Sequence, residues 1–264
     1  MSNNRQNKAE LLEIIWQQQK LIRELENKIA RLEKRNTKFD SCFFSKLEIR
    51  PSEIKSKAQK ESEKIAIISD IHGNLPGLLA VMADIENCQC DRIISLGDLV
   101  EGGDYNEEVV RFIRDNNITS LRGNHDESND LELSKDIQTF LKTLPEEIIE
   151  SDIIYTHISP RTKKVSLWDE IEAWNVFDET PYRLAFVGHL HIPLIFGEKC
   201  EEACTSTCHQ IQYGKPFQLD ETDRYIISVG AIGYSRDNIN KLRYVIYNKL
   251  ENSVEFRAVE GEQV

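Results

Sequence analysis

The sequence predicts an α/β domain that follows an N-terminal helical coiled-coil segment. Three observations support this fold class: a heptad repeat near the N-terminus, apolar runs alternating with helical patterns from residue 65, and polar clusters that directly follow those runs. The 264 residues suffice for one large domain or two small ones with a buried core. We expect an oligomerisation helix over residues 1–36, a linker or packed irregular segment over 37–63 and a globular domain over 64–264.

The N-terminal segment over residues 8–35 lacks Gly and Pro, and its apolar residues alternate between spacings of four and three, which is a heptad seam. The seam comprises Leu11, Ile15, Gln18, Ile22, Leu25, Ile29 and Leu32. Isoleucine at the a positions with mostly leucine at the d positions favours a parallel homodimer. Because Ile14 and Leu21 widen the apolar face, two alternatives stay open: three or four strands, or a helix packed on its own domain.

Five apolar runs of mostly β-favouring residues each lead into a polar cluster. They are KIAIISD, DRIISLGD, NITSLRGNHD, DIIYTH and RLAFVGHLH. Helical patterns fill several gaps, notably NLPGLLAVMADIE, with Asn74 placed to cap and Pro76 in the first turn, then NEEVVRFIRD and SLWDEIEAWNVF. Three later runs, RYIISVG, LRYVIY and SVEFRAV, lack intervening helices, so we expect antiparallel strands there.

Charge is unevenly distributed along the chain, whose net charge is −12. Residues 1–64 carry 15 Lys and Arg against 10 Asp and Glu, whereas residues 65–264 carry 18 against 35. Residues 65–264 therefore carry a net negative charge that repels polyanions, which argues against long nucleic acid as a partner. No run of 18 apolar residues and no apolar signal core occur, so we expect a cytoplasmic protein without a membrane segment.

The six cysteines are few for the length and unevenly spaced, which argues against a disulfide framework. Cys200, Cys204 and Cys208, followed by His209, form a C-x3-C-x3-C-H pattern. Zinc sites more often use C-x2-C pairs, so we favour exposed thiols in a loop over a metal or redox site.

Candidate metal ligands follow the five early strands. They are Asp70, His72, Asp98, Asn124, His157, His189 and His191. Ligands of open α/β sheets gather beyond the carboxyl ends of strands, so these donors are expected to converge. Carboxylate, imidazole and amide donors without thiolate suit Mn, Fe, Co, Ni or Zn, and seven donors fit two divalent ions that share one carboxylate. Gly97, Gly123 and Gly188 each precede a predicted ligand, which favours close backbone approach there.

Five motifs occur in the order SDIHGN, LGDLVEGG, LRGNHD, YTHISP and VGHLHIP. They resemble the calcineurin-like metallophosphoesterases, and TLPEE and SVGAIGYSRDN resemble the compact bacterial and archaeal phosphodiesterase-like branch. The resemblance covers roughly residues 64–260. It implies a metallophosphoesterase α/β sandwich, two packed mixed sheets flanked by helices, as the catalytic domain. It also implies a phosphoesterase that depends on two metal ions and hydrolyses a small phosphomonoester, phosphodiester or nucleotide.

The resemblance also implies roles for individual residues. The ligands of one metal ion would be Asp70, His72 and His191. Those of the other would be Asn124, His157 and His189. Asp98 would bridge the ions, and a metal-bridging hydroxide would be the nucleophile. His125 would face the phosphoryl group and either donate to a developing oxyanion or protonate the leaving oxygen, with Asp126 orienting its ring.

Three departures from the family pattern bear on the substrate. Protein serine/threonine phosphatases of this superfamily carry G-D-x-V-D-R-G and G-N-H-E, whereas GDLVEGG and GNHD here lack the arginine that binds phosphate there. This argues against a phosphoprotein phosphatase of that class. Ile158 replaces the usual glycine after His157, and SVGA stands in place of asparagine-proline-glycine-serine.

Two other functions stay open: a protein-binding scaffold that recruits partners through the N-terminal helix, and a nuclease. The acidic body argues against the nuclease. An intact ligand set together with His125 favours catalysis, because a scaffold has no need of a proton donor.

Overall fold

The computed structural model describes residues 63–198 and 206–264. The predicted coiled coil over residues 8–35, most of the predicted linker, and Cys200 and Cys204 lie outside these ranges. No helix of the described ranges is long and apolar enough to cross a membrane.

The described residues alternate between strands and helices, as the sequence predicts. The strands are β1 (Lys64–Ile68), β2 (Arg92–Ser95), β3 (Thr119–Ser120), β4 (Glu147–Glu150), β5 (Ile153–Thr156), β6 (Leu184–Val187), β7 (Pro193–Glu198), β8 (Thr207–Cys208), β9 (Pro216–Gln218), β10 (Arg224–Val229), β11 (Leu242–Asn248) and β12 (Ser253–Val259). The helices are α1 (Leu75–Asn87), α2 (Asn106–Asp115), α3 (Asn124–Glu127), α4 (Lys135–Thr143) and α5 (Glu170–Glu179).

The strands form two six-stranded mixed sheets. The first has the order β3-β2-β1-β11-β12-β9 and the second the order β4-β5-β6-β10-β7-β8. Strands β1, β2 and β3 run parallel in the first sheet, as do β5, β6 and β10 in the second. The carboxyl ends of several strands therefore lie at one edge of each sheet, where loops can assemble a site.

Side chains point alternately to the two faces of each strand, which explains how the layers pack. Ile65 and Ile67 of β1 point into the interior between the sheets, where they join Tyr155 of β5 and Phe186 of β6 in one buried cluster. The opposite face of the first sheet packs on α1, α2 and α4, and that of the second packs on α5. The predicted sandwich of two mixed sheets flanked by helices is thus confirmed.

Local sequence fixes the starts of two helices. The Asn74 side chain accepts a hydrogen bond from the backbone N–H of Gly77 at 2.9 Å and so caps α1, as predicted. The Asp169 carboxylate accepts from the N–H groups of Ile171 and Glu172 at 3.0 and 2.9 Å, so α5 begins at Glu170, within the predicted SLWDEIEAWNVF stretch.

One group of predicted strands is arranged differently from the prediction. The run RYIISVG forms β10, which pairs in parallel with β6 and antiparallel with β7 in the second sheet. Only β11 and β12 form the predicted antiparallel pair, in the first sheet. Adjacent apolar runs in a sequence do not reveal which sheet each joins, because non-local pairing decides this.

The described cysteines carry no disulfide: Cys88, Cys90 and Cys208 are free. Cys88 directly follows the last residue of α1. Cys208 is exposed and belongs to the short strand β8.

Candidate active site

The site lies where loops from both sheets meet. Asp70 and His72 follow β1, Asp98 follows β2, His157 follows β5, and His189 and His191 follow β6. Backbone bonds hold the first two loops together, because the N–H groups of Ile71 and His72 both donate to the carbonyl of Asp98, at 2.8 and 3.0 Å. The ligand-bearing loops therefore support one another.

Strained backbone is concentrated at this site. Of the eleven non-glycine residues with positive φ in the described ranges, six belong to it. They are Asp70, His72, Asp98, Glu101, His189 and His191, with φ between 52° and 72°. Such conformations cost free energy and persist where the surrounding structure imposes them, which is common at functional sites.

The predicted close approaches occur at all three glycines, and a Cβ at Gly97 would lie 2.4 Å from the backbone nitrogen of Gly123. A Cβ at Gly123 would lie 2.1 Å from Asp98 Oδ1, and one at Gly188 would lie 2.0 Å from Ser69 Oγ and 2.8 Å from Asp70 Oδ2. A side chain at either position would displace a carboxylate of the site.

The first donor group consists of Asp70, His72 and His191, all of which are buried. Asp70 Oδ1 lies 3.1 Å from His191 Nε2, and the Nε2 atoms of His72 and His191 are 3.1 Å apart. The donor atoms of this group all lie within 4.8 Å of one another, which is a suitable spacing for ligands of one ion.

The second donor group consists of Asp98, His157 and His189. Asn124, at the start of α3, belongs with it, because its Oδ1 lies 3.1 Å from His157 Nε2 and 2.9 Å from His189 Nδ1. Asp98 connects the two groups: its Oδ2 lies 3.0 Å from His157 Nε2 and 3.8 Å from His72 Nε2. The structure thus brings all seven predicted donors together.

The histidine tautomers show that the site suits cations. The Nδ1 atoms of His72, His157 and His191 lie 2.7, 3.0 and 2.9 Å from backbone carbonyls, to which they must donate. In a neutral ring, Nε2 then carries a lone pair. Two lone pairs 3.1 Å apart, as in His72 and His191, cannot bond each other, whereas a cation placed between them binds both. Carbonyl-held imidazoles of this kind are typical of metal ligands.

Electrostatics also favour positive charge between these oxygens. Burial alone would raise the pKa of Asp70, but the hydrogen bond from His191 and the charges of His157, His191 and His72 hold it well below its ordinary value. Burial alone would lower the pKa of His157, but the hydrogen bond with Asp98 and the nearby carboxylates raise it to about 9. The carboxylates of the site therefore need a positive partner, which a bound cation can supply.

His125 stands beside the donor groups. Its backbone N–H donates to Asp98 Oδ1 at 2.8 Å, and its ring centroid is 5.1 Å from that of His72. Its Nδ1 lies 2.6 Å from Glu101 Oε2, so Nε2 is the ring nitrogen available to a substrate. Glu101 is a site residue that the sequence analysis missed, although it lies within the LGDLVEGG motif.

The role of Asp126 differs from the prediction that it orients the His125 ring. Its carboxylate accepts from the backbone N–H groups of Asp98, Leu99 and Gly123, at 2.8, 2.8 and 2.9 Å. It therefore fastens the loops after β2 and β3 to each other. Burial is the main cause that raises the pKa of Asp126 to about 6, and the charge of Asp98 adds to it.

Two further residues contact the ligands and were also missed. Ser166 Oγ lies 3.0 Å from His189 Nε2, so the other ring nitrogen of His189, Nδ1, faces Asn124. Tyr234 packs its ring 4.2 Å from the His191 ring, centroid to centroid, and its carbonyl accepts from His191 Nδ1. Ser166 belongs to the stretch SLWDEIEAWNVF and Tyr234 to SVGAIGYSRDN, and neither stretch has a spacing that indicates contact with a ligand.

Comparisons with known proteins agree with this geometry. The sequence profile of the calcineurin-like phosphoesterases matches residues 63–193. The protein MJ0912 of Methanocaldococcus jannaschii is 36% identical over 221 residues, which cover 74% of this chain and 87% of that protein.

Solved structures are also similar. A metallophosphoesterase from Sphaerobacter thermophilus shares 32% identity with a TM-score of 0.66, over 75% of this chain and 88% of that one. The protein PH1004 of Pyrococcus horikoshii shares 18% identity with a TM-score of 0.57, over the same shares, which shows a common fold. These similarities confirm the family that the five motifs resemble. The chain belongs to the calcineurin-like phosphoesterases, a family of metal-dependent phosphoric ester hydrolases.

Proposed function

We propose that this protein hydrolyses a small phosphorylated substrate at the two donor groups, with His125 as the general acid. The observation that carries this proposal is that Asp98 lies between the two groups while its Oδ1 also accepts from the backbone of His125. The Asp98 side chain therefore contacts a ligand of each group and also the backbone of the proposed proton donor.

Calcineurin-like phosphoesterases use two divalent metal ions, and the donor chemistry here fits them. We assign Asp70, His72 and His191 to one ion. We assign Asn124, His157 and His189 to the other, and Asp98 to both. Bound ions would stabilise charge on the phosphoryl oxygens and activate water for attack.

The proton is supplied by this chain's own residues. Glu101 accepts from His125 Nδ1–H and so fixes the ring with Nε2 toward the substrate. A ring that also carries a proton on Nε2 can donate it from there to the leaving oxygen. Glu101 takes part in a second way, because its backbone carbonyl accepts from His72 Nδ1 and orients that ligand.

The test compares leaving groups in the manganese-loaded protein. Because a poor leaving group needs protonation most, His125→Ala should reduce hydrolysis of alkyl phosphate esters by roughly 10²–10⁴-fold and of nitrophenyl esters by much less. The control is His209→Ala, since the His209 ring packs on Phe217 and Tyr225, outside the donor groups. Equal losses on both ester classes would exclude the acid role. Absence of hydrolysis by the metal-loaded wild type across mono- and diesters would refute the proposal as a whole.

A further inference from the structure

One arginine of the described ranges stands apart from the others. Ten arginines occur there, and nine of them form an ion pair with a carboxylate. The tenth, Arg236, is exposed and has no carboxylate within 4.0 Å among the described residues. In a domain with 35 acidic residues against 18 basic ones, Arg236 is the one arginine of the described ranges that no carboxylate pairs with.

The backbone that carries Arg236 is firmly attached to the site. The N–H of Gly233 donates to the carbonyl of Asp70 at 2.7 Å, and the carbonyl of Tyr234 accepts from His191 Nδ1 at 2.9 Å. On the other side, Asp237 pairs with the fully buried Arg243 at 3.0 Å. Arg236 therefore projects from a fixed loop whose other residues bond two ligands of the first group.

The guanidinium lies just outside the first donor group. Its Cζ is 5.8 Å from the Tyr234 ring centroid, and that centroid is 4.2 Å from the His191 centroid, so Cζ lies at most 10.0 Å from His191.

We infer that Arg236 binds a second phosphate group of the substrate, adjacent to the phosphoryl group that is hydrolysed. This assignment rests on the proposed function and narrows the substrate class to compounds that carry two or more phosphates close together. Metal ions would neutralise the scissile group, whereas Arg236 contacts the Tyr234 ring, which itself packs on the ligand His191. A planar guanidinium supported on an aromatic ring is well suited to bind phosphate oxygens in pairs.

Composition of the opposite loop agrees with this assignment. The loop after β2 has Gly102 and Gly103 beside Glu101 and offers no cation there. Arg236, from the loop after β10, is thus the arginine placed to contribute positive charge at the rim of the first group. It stays available because no carboxylate of the described ranges neutralises it.

The experiment measures binding by calorimetry, independently of turnover. The full-length, manganese-loaded protein is titrated with inorganic phosphate and with methylenediphosphonate, a two-phosphorus compound that cannot be hydrolysed at its bridge, and bound metal is measured before and after. Arg236→Gln should weaken diphosphonate binding about 10–100-fold, the loss expected for a charge-assisted contact, and phosphate binding less than about twofold. Arg114→Gln, an equal charge change at an arginine paired with Asp115 and Asp136, should alter neither.

Two outcomes would overturn the assignment. Equal weakening of both probes would place Arg236 on the scissile phosphoryl group, and unchanged diphosphonate binding would remove its role in substrate binding. Because both are binding results, they are distinguishable from a failure of the proposed function, which would appear as a wild-type protein that binds phosphate but hydrolyses no ester. Since Arg236 is exposed, the variant should melt like the wild type, which circular dichroism checks.

Discussion

The two donor groups differ in how they are enclosed. In the first, Asp70 and His72 are 0% exposed and His191 is 1% exposed, and Tyr234 packs against both rings. Its two imidazoles are held by backbone carbonyls. In the second, His189 and Asn124 are only half-buried, and His189 is held by the side-chain hydroxyl of Ser166.

This difference suggests a division of labour between the groups. A fully buried set of donors held by the backbone exchanges its ion slowly, because local opening must precede release. In the second set Asp98 and His157 are also buried, but the half-buried Asn124 and His189 leave room for substrate and should let the ion leave more readily. The first group would then maintain the structure of the centre, and the second would face the reaction.

The most severe test removes the connection between the groups. Asp98→Asn should reduce turnover by roughly 10³-fold or more, because charge stabilisation by two ions is worth several kcal/mol. The fold should remain intact, since Asn keeps an oxygen for the His125 N–H. Steady-state kinetics and circular dichroism measure both effects. Near-normal turnover with two bound ions would contradict the placement of Asp98 between the groups.

The division of labour is tested by a matched pair of variants. His191→Ala should weaken binding of the slowly exchanging ion, and His189→Ala binding of the rapidly exchanging ion. In each variant the affinity should fall by more than the 10–100-fold typical of a residue that only supports a ligand. Timed dialysis against a chelator, followed by elemental analysis, distinguishes the two ions. If both variants lost the same ion, whether the slowly or the rapidly exchanging one, the difference in burial would not determine how fast each ion exchanges.

A smaller effect is expected at Glu101, which contacts both His72 of the first group and the proposed acid His125. Glu101→Gln keeps the backbone carbonyl that orients His72 but removes the carboxylate on His125. Turnover of alkyl esters should fall roughly 10–100-fold, less than for loss of the imidazole itself, while bound metal stays unchanged. Glu101→Asp serves as the control and should recover part of the rate. A loss of metal in Glu101→Gln would show that the side chain supports the first group instead.

The smallest effect on activity is expected far from both groups. On α1, Asp84 accepts from Arg257 Nη2 at 2.8 Å and from the Tyr244 hydroxyl at 2.7 Å. Burial alone would raise its pKa, but these hydrogen bonds outweigh burial and lower it below 3.8. A carboxylate whose pKa is lower in the folded state stabilises the fold at pH values above its pKa in the unfolded state. This contribution is lost as the pH falls through the pKa of the folded state.

Asp84→Asn should therefore lower the free energy of unfolding by about 1–2 kcal/mol at pH 7 and by progressively less below pH ~4. Metal content and turnover should not change. Urea unfolding at several pH values measures the difference in free energy of unfolding between the variant and the wild type. If this difference stayed constant down to pH 2, the charge of Asp84 would not be its cause.

The sequence predicted the elements whose signals are local. Strands β1, β2, β5 and β6 are runs of buried β-branched and aromatic residues followed by ligands, so their existence and the convergence of their ends could be inferred. Pairing could not be inferred, because the neighbours of β10 come from separate parts of the chain. Strands β8 and β9 are short and largely exposed, so they leave no apolar pattern.

The site shows the same limit at single residues. Asp126 follows His125 in the sequence, which made it a natural partner, but neighbouring residues on the helical turn α3 do not face each other. The carboxylate that reaches His125 comes instead from Glu101, in the loop after β2. The contacts of Tyr234 with His191 and of Ser166 with His189 likewise join separate parts of the chain, which no local spacing encodes.

A pair of ions joined by Asp98 is tested most directly by the anomalous scattering of manganese in crystals of the metal-loaded protein. We predict two peaks roughly 3.5–4 Å apart. One should lie among Asp70, His72 and His191, and the other among Asn124, His157 and His189, with Asp98 within bonding distance of both. A single peak, or two peaks of which only one contacts Asp98, would contradict the account.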